Sequence, residues 1–544
     1  MFSSSRLVKR IASARRVTLI KVAVIAVFFA LSAFWAGTVS FAQLIDRMRN
    51  PNPSNSGIAK TFSQQIGAGR GSFDTPDSSL YIIHRDPFRS IRRGRQIFQR
   101  KFLKPEGQGP IAMDSLGDIT QNLQFGAGMA DSCSSCHGRP RGAAGFGGDV
   151  VTRPDSRDAP HLFGLGLKEM LADEITTDLR AIKAEAKAAA ISQHRQVTRS
   201  LDSKGINYGR IKALPNGIFD ESEIRGVDAD LRVRPFFHHG GTISIREFIV
   251  GAFNNEMGMQ AVDPDLLAAH GGARITTPSG MVLDGSTDQI ERPQATDELS
   301  DPDNDGKTNE VPTSIVDHME FYLLNYFKPA TYEQTNETER GRETFKAIGC
   351  AQCHIPDLQI RKDRRVADVE TTYDPDRGIF NDLFATATPL FTSVNDRDIF
   401  PNWKKPNGGS FLVKNIFTDL KRHDVGPSFY ERNYDGTMRT QIMTTPLWGV
   451  GSTPPYGHDG RSVNLAEVIL RHGGEALDQR NAFASLNTNK KRDLLDFLNS
   501  LIIFPPDDTA SNLDPGNRGA LGFPQNGHGS IKLGALFNDP NDPE

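Results

Sequence analysis

Cysteine and histidine carry the first chemical signal in this chain. All four cysteines among 544 residues fall in two copies of one pattern, Cys133-Ser134-Ser135-Cys136-His137 and Cys350-Ala351-Gln352-Cys353-His354. Cys-x-x-Cys-His is the spacing at which c-type haem is attached. Two thiols add across the porphyrin vinyl groups, and the histidine that follows is placed to ligate iron from one face. A lone CxxC pair also suits a disulfide or a thiol redox couple, and two pairs suit a Cys₄ zinc site. Neither explains a histidine directly after both pairs, or the lack of any further cysteine. The motifs therefore predict two covalently attached haems, with His137 and His354 on the irons.

Helices must hold these loops in place. Arg93-Gly94-Arg95-Gln96-Ile97-Phe98 precedes the first motif and Arg340-Gly341-Arg342-Glu343-Thr344-Phe345 the second. Both look like the opening helix of a cytochrome c fold, which packs against a closing helix. Ser314–Phe327 sets Met319, Tyr322, Leu323 and Tyr326 on one face, and Asn489–Phe504 does the same with Leu494, Leu495, Leu498 and Leu501. The expected fold is mainly α, two cytochrome c-like haem domains in tandem at residues 79–330 and 331–504. The first is the more expanded: Cys133 lies 35 positions after Phe98, whereas Cys350 lies five after Phe345. An Ala-, Lys- and Glu-rich helix over Leu167–His194 is expected as an insertion in the first domain, and residues 360–440 as long loops in the second.

Composition narrows the class. With 24% charged and 38% hydrophobic residues, 50 Gly and 32 Pro, the chain is a loop-rich globular protein, and its length suits two to four domains. Residues 1–42 hold six basic groups and no acidic one, then a 21-residue uncharged run from Val22 to Ala42. Two readings fit it: a signal peptide cut after Ser40-Phe41-Ala42, or an uncleaved membrane anchor. Both predict export to the periplasm, with membrane association only if the segment is retained. Formal net charge is −3, and −9 without this segment. An acidic chain of this kind is not expected to bind nucleic acid. Residues 43–78, with Asn50–Gly57 inside them, are expected as a linker, and 505–544 as an extended tail in which Phe523, Ile531, Leu533 and Leu536 suggest surface contact.

The C-terminal half carries Leu420-Lys421-Arg422-His423-Asp424-Val425-Gly426-Pro427, Thr445-Pro446-Leu447-Trp448-Gly449-Val450-Gly451, Tyr456-Gly457-His458-Asp459-Gly460-Arg461 and Arg471-His472-Gly473-Gly474-Glu475-Ala476. The first half has Phe163-Gly164-Leu165-Gly166-Leu167 and Asn255-Glu256-Met257-Gly258-Met259. With two CxxCH sites, these motifs resemble the di-haem oxidoreductase family, a branch of the bacterial di-haem cytochrome c peroxidase superfamily, over roughly residues 80–540. The family's alternative label, thiol oxidoreductase, does not suit a chain whose every cysteine is needed for haem. In peroxidases of the superfamily the residue fourteen after the HDG histidine is the distal ligand of the second haem, usually Met. Counting from His458 reaches His472, so the resemblance implies a second haem held by His354 and His472. The residues add that Asn464-Leu465-Ala466-Glu467 opens a short helix running to His472 and stopped by Gly473. Histidine at that helix end also suits a plain cap. His458, in its tight turn, is expected to hydrogen-bond beside the haem rather than ligate it.

The distal side of the first haem stays open between several residues. His238 and His239 are candidates for a ligand or acid–base group, as are His161 and His423. Glu256 is a candidate proton donor for O–O cleavage. Trp448 is a candidate for electron transfer between haems, or a packing residue. Asp301-Pro302-Asp303-Asn304-Asp305-Gly306 matches the start of a calcium loop, though Pro312 replaces the closing glutamate. The functional expectation is an exported, peroxidase-like di-haem oxidoreductase. Its second haem takes electrons from a small soluble redox protein, and its first reduces a small-molecule oxidant, peroxide by default. The alternatives are an electron-transfer protein without a substrate site and a di-haem oxygenase.

Overall fold

The helices that position the site are α1 (Pro87–Gln99), α2 (Leu165–Ser192), α3 (Ile245–Met257), α4 (Thr313–Asn325), α5 (Asn336–Ala347), α6 (Leu465–Arg471) and α7 (Thr488–Asn499). The structure, a computed structural model, describes residues 58, 60–109, 130–138, 149–150, 157–328, 334–373, 383–432 and 436–502. The leader, residues 50–57, the tail 505–544 and the boundary expected at 330/331 lie outside them. Among the described residues, no helix is long and apolar enough to cross a membrane.

The two Arg-Gly-Arg motifs sit where helices cross. A methyl group on Gly94 of α1 would stand 2.2 Å from the His318 carbonyl oxygen of α4 and 2.5 Å from Tyr322 Cβ. A methyl on Gly341 of α5 would stand 1.9 Å from the Asp493 carbonyl oxygen of α7 and 2.8 Å from Phe497 Cβ. Only glycine permits either approach. Both opening helices thus meet the closing helices expected from the leucine and aromatic spacing.

Around this shared crossing the two regions differ. The first buries Arg246, with Asp263 at 2.7 Å, Asp317 at 2.9 Å and Glu320 at 2.7 Å, inside a large apolar cluster. The second has a small cluster of Phe345, Phe417, Leu465, Phe483, Leu494, Phe497, Leu498 and Leu501. There Phe345, Phe417 and Phe497 meet edge to face at 5.6–5.9 Å. The apolar core does not divide at 330/331. Leu358, Ile360, Val366, Val369, Val413, Leu420 and Trp448 all join the larger cluster.

Three sequence expectations need correction. The mainly α reading holds only in part, because the chain mixes helix and sheet. A three-stranded antiparallel sheet, β1 (Val197–Ser203), β2 (Ile206–Ala213) and β3 (Phe219–Asp220), follows α2, and further strand pairs recur through residues 358–443. The second correction is there: the expected loops of 360–440 are hairpins, Ala367–Tyr373 with Leu383–Pro389 and Phe391–Val394 with Trp403–Pro406. Their short alternations, broken by Asp, Pro and Gly, hid the period-2 signal. Third, the linker expected over 43–78 is folded structure from Thr61 on. Helix Phe62–Ile66 is capped by Thr61, and Arg70 Nη2 pairs with Asp265 at 2.5 Å.

Candidate functional site

Both Cys-x-x-Cys-His motifs open into one cavity of about 770 Å³. Ser132 caps the first, accepting from Ser135 N at 3.2 Å, so Cys133–Cys136 form a single helical turn. The second forms a 3₁₀ turn at Cys350–Gln352 after Gly349, whose φ of +91° suits glycine. Burial pushes the Cys133 and Cys350 thiols up to about 12.

The three histidines expected on iron share one arrangement. Each donates from Nδ1 to a backbone carbonyl: His137 to Pro160 at 2.7 Å, His354 to Phe417 at 3.1 Å and His472 to Val468 at 2.7 Å. That bond fixes the tautomer and puts the lone pair on Nε2, the form a metal requires. All three line the cavity. Burial lowers the His354 pKa to about 4, with His472 adding to the shift, and burial lowers His472 as well, so both rings are neutral. His472 follows α6 as its C-terminal cap. Capping and ligation are therefore compatible, because the cap uses Nδ1.

The HDVGP and HGGEA turns of the second half lock together. Gly473 N donates to Val425 O and Glu475 N to Asp424 O, both at 2.7 Å. The Glu475 carboxylate accepts from Asp424 N at 3.1 Å and meets His423 Nδ1 at 2.8 Å. His423 Nε2 meets Asp419 Oδ2 at 2.8 Å. With both ring nitrogens engaged, His423 has no lone pair for iron. Burial opposes its charge, but Asp419 and Cys353 raise its pKa to about 11. His161 donates from Nε2 to the Trp448 carbonyl at 2.9 Å, and burial pushes it down to about 4. The Trp448 ring packs over Gly164 in the larger core. It reaches from the second region's motif into the first region.

A second internal repeat, missed in the sequence, places His238 and His239. Phe236–Ile249 repeats Tyr456–Ile469 in detail. Isolated bridges join Phe236 to Thr242 and Tyr456 to Ser462. Gly240 and Gly460 take φ of +71° and +63°. Ser244 caps α3 by accepting from Glu247 N, as Asn464 caps α6 by accepting from Glu467 N. The glutamates answer alike: Glu247 accepts from Ile243 N at 3.2 Å, and Glu467 from Val463 N at 2.8 Å. His238 thus corresponds to His458, and their rings stack at 4.3 Å, 4° from parallel. His238 Nε2 meets Glu431 Oε2. Fourteen residues after His238, where the second region has His472, stands Ala252, which lines the cavity. The signal was a shared His-x-Gly turn with a cap and Glu at equal spacing. Glu256 lies one turn past Ala252 on α3, lines the cavity and raises the Cys136 pKa after burial.

Two cavity-lining cations suit a group bearing carboxylates. Lys168 has no carboxylate partner among the described residues, and loss of water around it pushes its pKa down to about 8. Arg480 Nε is buried without a hydrogen-bond partner. Haem propionates match both, so the donor set and the cations fit haem.

Comparison with known proteins bears on the same residues. The family described as "Di-haem oxidoreductase, putative peroxidase" matches residues 363–501. The resemblance to the di-haem oxidoreductases is thereby shown. The match spans His423, the HDGR turn, His472 and the HGGEA turn. No curated protein matches. Among solved structures, a Kuenenia stuttgartiensis hydrazine synthase chain is similar at 12% identity and a TM-score of 0.30, covering 78% of this chain and 91% of that one. At that score the likeness carries no argument.

The expected calcium residues also come together. Asp301, Asp303 and Asp305 bring carboxylate oxygens within 4.8 Å of one another. Burial, then its like-charged neighbours, raise Asp303 to about 6; burial does most to lift Glu310 to about 8, with the three aspartates adding to it. Glu310 Oε1 is buried without a hydrogen-bond partner. Glu310, which follows the Asp-rich turn in the sequence, thus stands beside it in the fold.

Proposed function

We propose that the chain is an exported di-haem c-type oxidoreductase that reduces a small oxidant, peroxide by default, at its N-terminal haem. Cys133 and Cys136 hold that haem, and Cys350 and Cys353 the other. The observation that carries the reading is the pairing of His472 with Ala252 at equivalent positions of the two repeats. When bound, haem supplies an iron that exchanges electrons and, with a coordination position open, takes a small ligand.

His354 and His472 would hold the second haem through their free Nε2 atoms and would leave no place there for a small ligand. The Ala252 methyl offers no donor atom, so a haem held by His137 would keep a position free for a small ligand. Glu256 takes a proton from the incoming peroxide and returns it to the departing oxygen. His238, engaged by Glu431 and stacked on His458, serves at the junction rather than as a haem ligand. Trp448, whose carbonyl holds His161, lies on the route between the sites. Lys168 and Arg480 hold propionates. The aspartates and Glu310 hold a calcium ion. Electrons come from a small soluble redox protein in the periplasm.

The test is the visible and EPR spectrum of the purified holoprotein, oxidised and half-reduced, followed by peroxide consumption with a reduced donor. One high-spin and one low-spin haem, with turnover, is the expected result. Two haems that stay low-spin on half-reduction and consume no oxidant would mean an electron carrier instead.

A further inference from the structure

We propose that His238, His239 and Glu431 bind a divalent first-row transition-metal ion, with zinc the best fit, at the junction of the two repeats. The site does not depend on the haem chemistry. His238 Nε2 meets Glu431 Oε2, His239 Nδ1 lies 3.7 Å from the same oxygen, and the three donor atoms all fall within 4.8 Å. The side chains are 15%, 9% and 2% exposed, so the donors are shielded from bulk water. Two imidazole nitrogens and one carboxylate oxygen are the ligand set zinc takes when a fourth position is left for water. They also suit iron(II), but zinc binds such donors more tightly.

The backbone is built to bring these groups together. Phe237 takes φ +58° and Gly240 φ +71°, so the chain turns sharply on both sides of the histidine pair. Met443 N donates to His238 O at 2.6 Å, tying the turn to the strand pair Arg422–His423 with Ile442–Met443; Glu431 lies on the separate pair Glu431–Arg432 with Met438–Arg439. The stacked His458 ring fixes the His238 plane.

Comparison of the repeats shows what changed. In the second repeat the residue after the shared histidine is Asp459, whose carboxylate is held by Arg471 at 2.6 Å. The first repeat has His239 at the first of those positions and Gly251 at the second. The internal ion pair is gone, an imidazole replaces its carboxylate, and a buried carboxylate arrives from the other region. A self-contained structural turn has become half of a two-region ligand set. Its remaining position faces the cavity, which His238 and His239 line.

The experiment is elemental analysis of the full-length holoprotein after incubation with zinc chloride and gel filtration, with zinc K-edge absorption on the same sample. One zinc per chain beyond the two haem irons is expected, with two imidazoles and one carboxylate in its shell. His239→Ala and Glu431→Gln should each weaken zinc binding about 100-fold, while Asp301→Asn leaves it unchanged. The wild-type absorption spectrum tests the site even if a variant fails to fold. Zinc absent from the wild type, a shell lacking two imidazoles, or equal retention by a folded His239→Ala protein would overturn the proposal.

Discussion

The two repeats solve the same packing problem and then part at single positions. Each crosses an opening and a closing helix at a glycine, and each follows a His-x-Gly turn with a capped helix. Yet the second has His472 where the first has Ala252, and the second pairs Asp459 with Arg471 where the first has His239 and Gly251. The first also buries Arg246 among three carboxylates, where the second relies on aromatic rings. The lesson is that the scaffold is duplicated while the chemistry is not. A fold held by backbone contacts lets one side chain decide what a site can do.

Exchanging that side chain is the sharpest way to break the comparison. Ala252→His should give the first haem a second imidazole, turn it low-spin and cut peroxide consumption by about 100-fold or more, since the open position is lost. The reciprocal His472→Ala should add a second cyanide-binding haem. EPR and cyanide titration read both; a spectrum unchanged by either exchange would end the equivalence of the two positions.

The shared crossing is tested next. Gly94→Val and Gly341→Val each drive a side chain into a backbone oxygen, which cannot rotate away. Each should cost about 3 kcal/mol or more, at or above the top of the usual overpacking range. Equal losses in thermal or denaturant unfolding support one crossing used twice. A harmless substitution at one site shows that only the other region needs it.

A smaller effect separates the regions by cation. Glu310, raised to about 8, prefers its proton in the fold, so without a cation raising pH from about 4.5 to 8 lowers stability. Calcium would replace that proton. Calcium at 100 times its dissociation constant should then stabilise by about 2.7 kcal/mol, and its Tm shift should be larger at pH 8 than at pH 5. A shift independent of pH would remove Glu310 from the site.

The smallest effect lies in the second region. His423 is raised to about 11, with burial opposing and Asp419 favouring the charged ring. Its contribution is full below the unfolded value near 6.5 and is lost as pH rises toward 11, at no more than about 1.4 kcal/mol per pH unit. Part of the shift comes from the Cys353 thiol, which haem attachment would remove, so the slope in the holoprotein should be shallower. His423→Gln should flatten the pH dependence of Tm between 7 and 9; an unaltered slope places the titration elsewhere.

What the sequence made legible follows from how local each signal is. The CxxCH motifs, the Arg-Gly-Arg repeat and the closing helices are short patterns with fixed spacing, and each appears where expected. His472 was reached through the resemblance, by counting the superfamily spacing from His458. Ala252 was missed because a ligand that is absent leaves no residue to notice; only the backbone bonds of Ser244 and Glu247 expose the register. Glu431 was invisible because it meets His238 across 193 positions. The hairpins of 367–406 escaped because Asp, Pro and Gly interrupt the alternation along that stretch.

The carbonyl partners of His137, His354 and His472 have a further consequence, for energy rather than geometry. A carboxylate on Nδ1 would draw the proton away and make the imidazole more electron-donating. A neutral carbonyl does so less. The chain places its carboxylates instead on His423 and His238, which are not assigned to iron. With neutral carbonyls on all three rings, the reduced form of a haem held by them would be favoured over what a carboxylate partner would give. A haem so held would ask less reducing power of its donor.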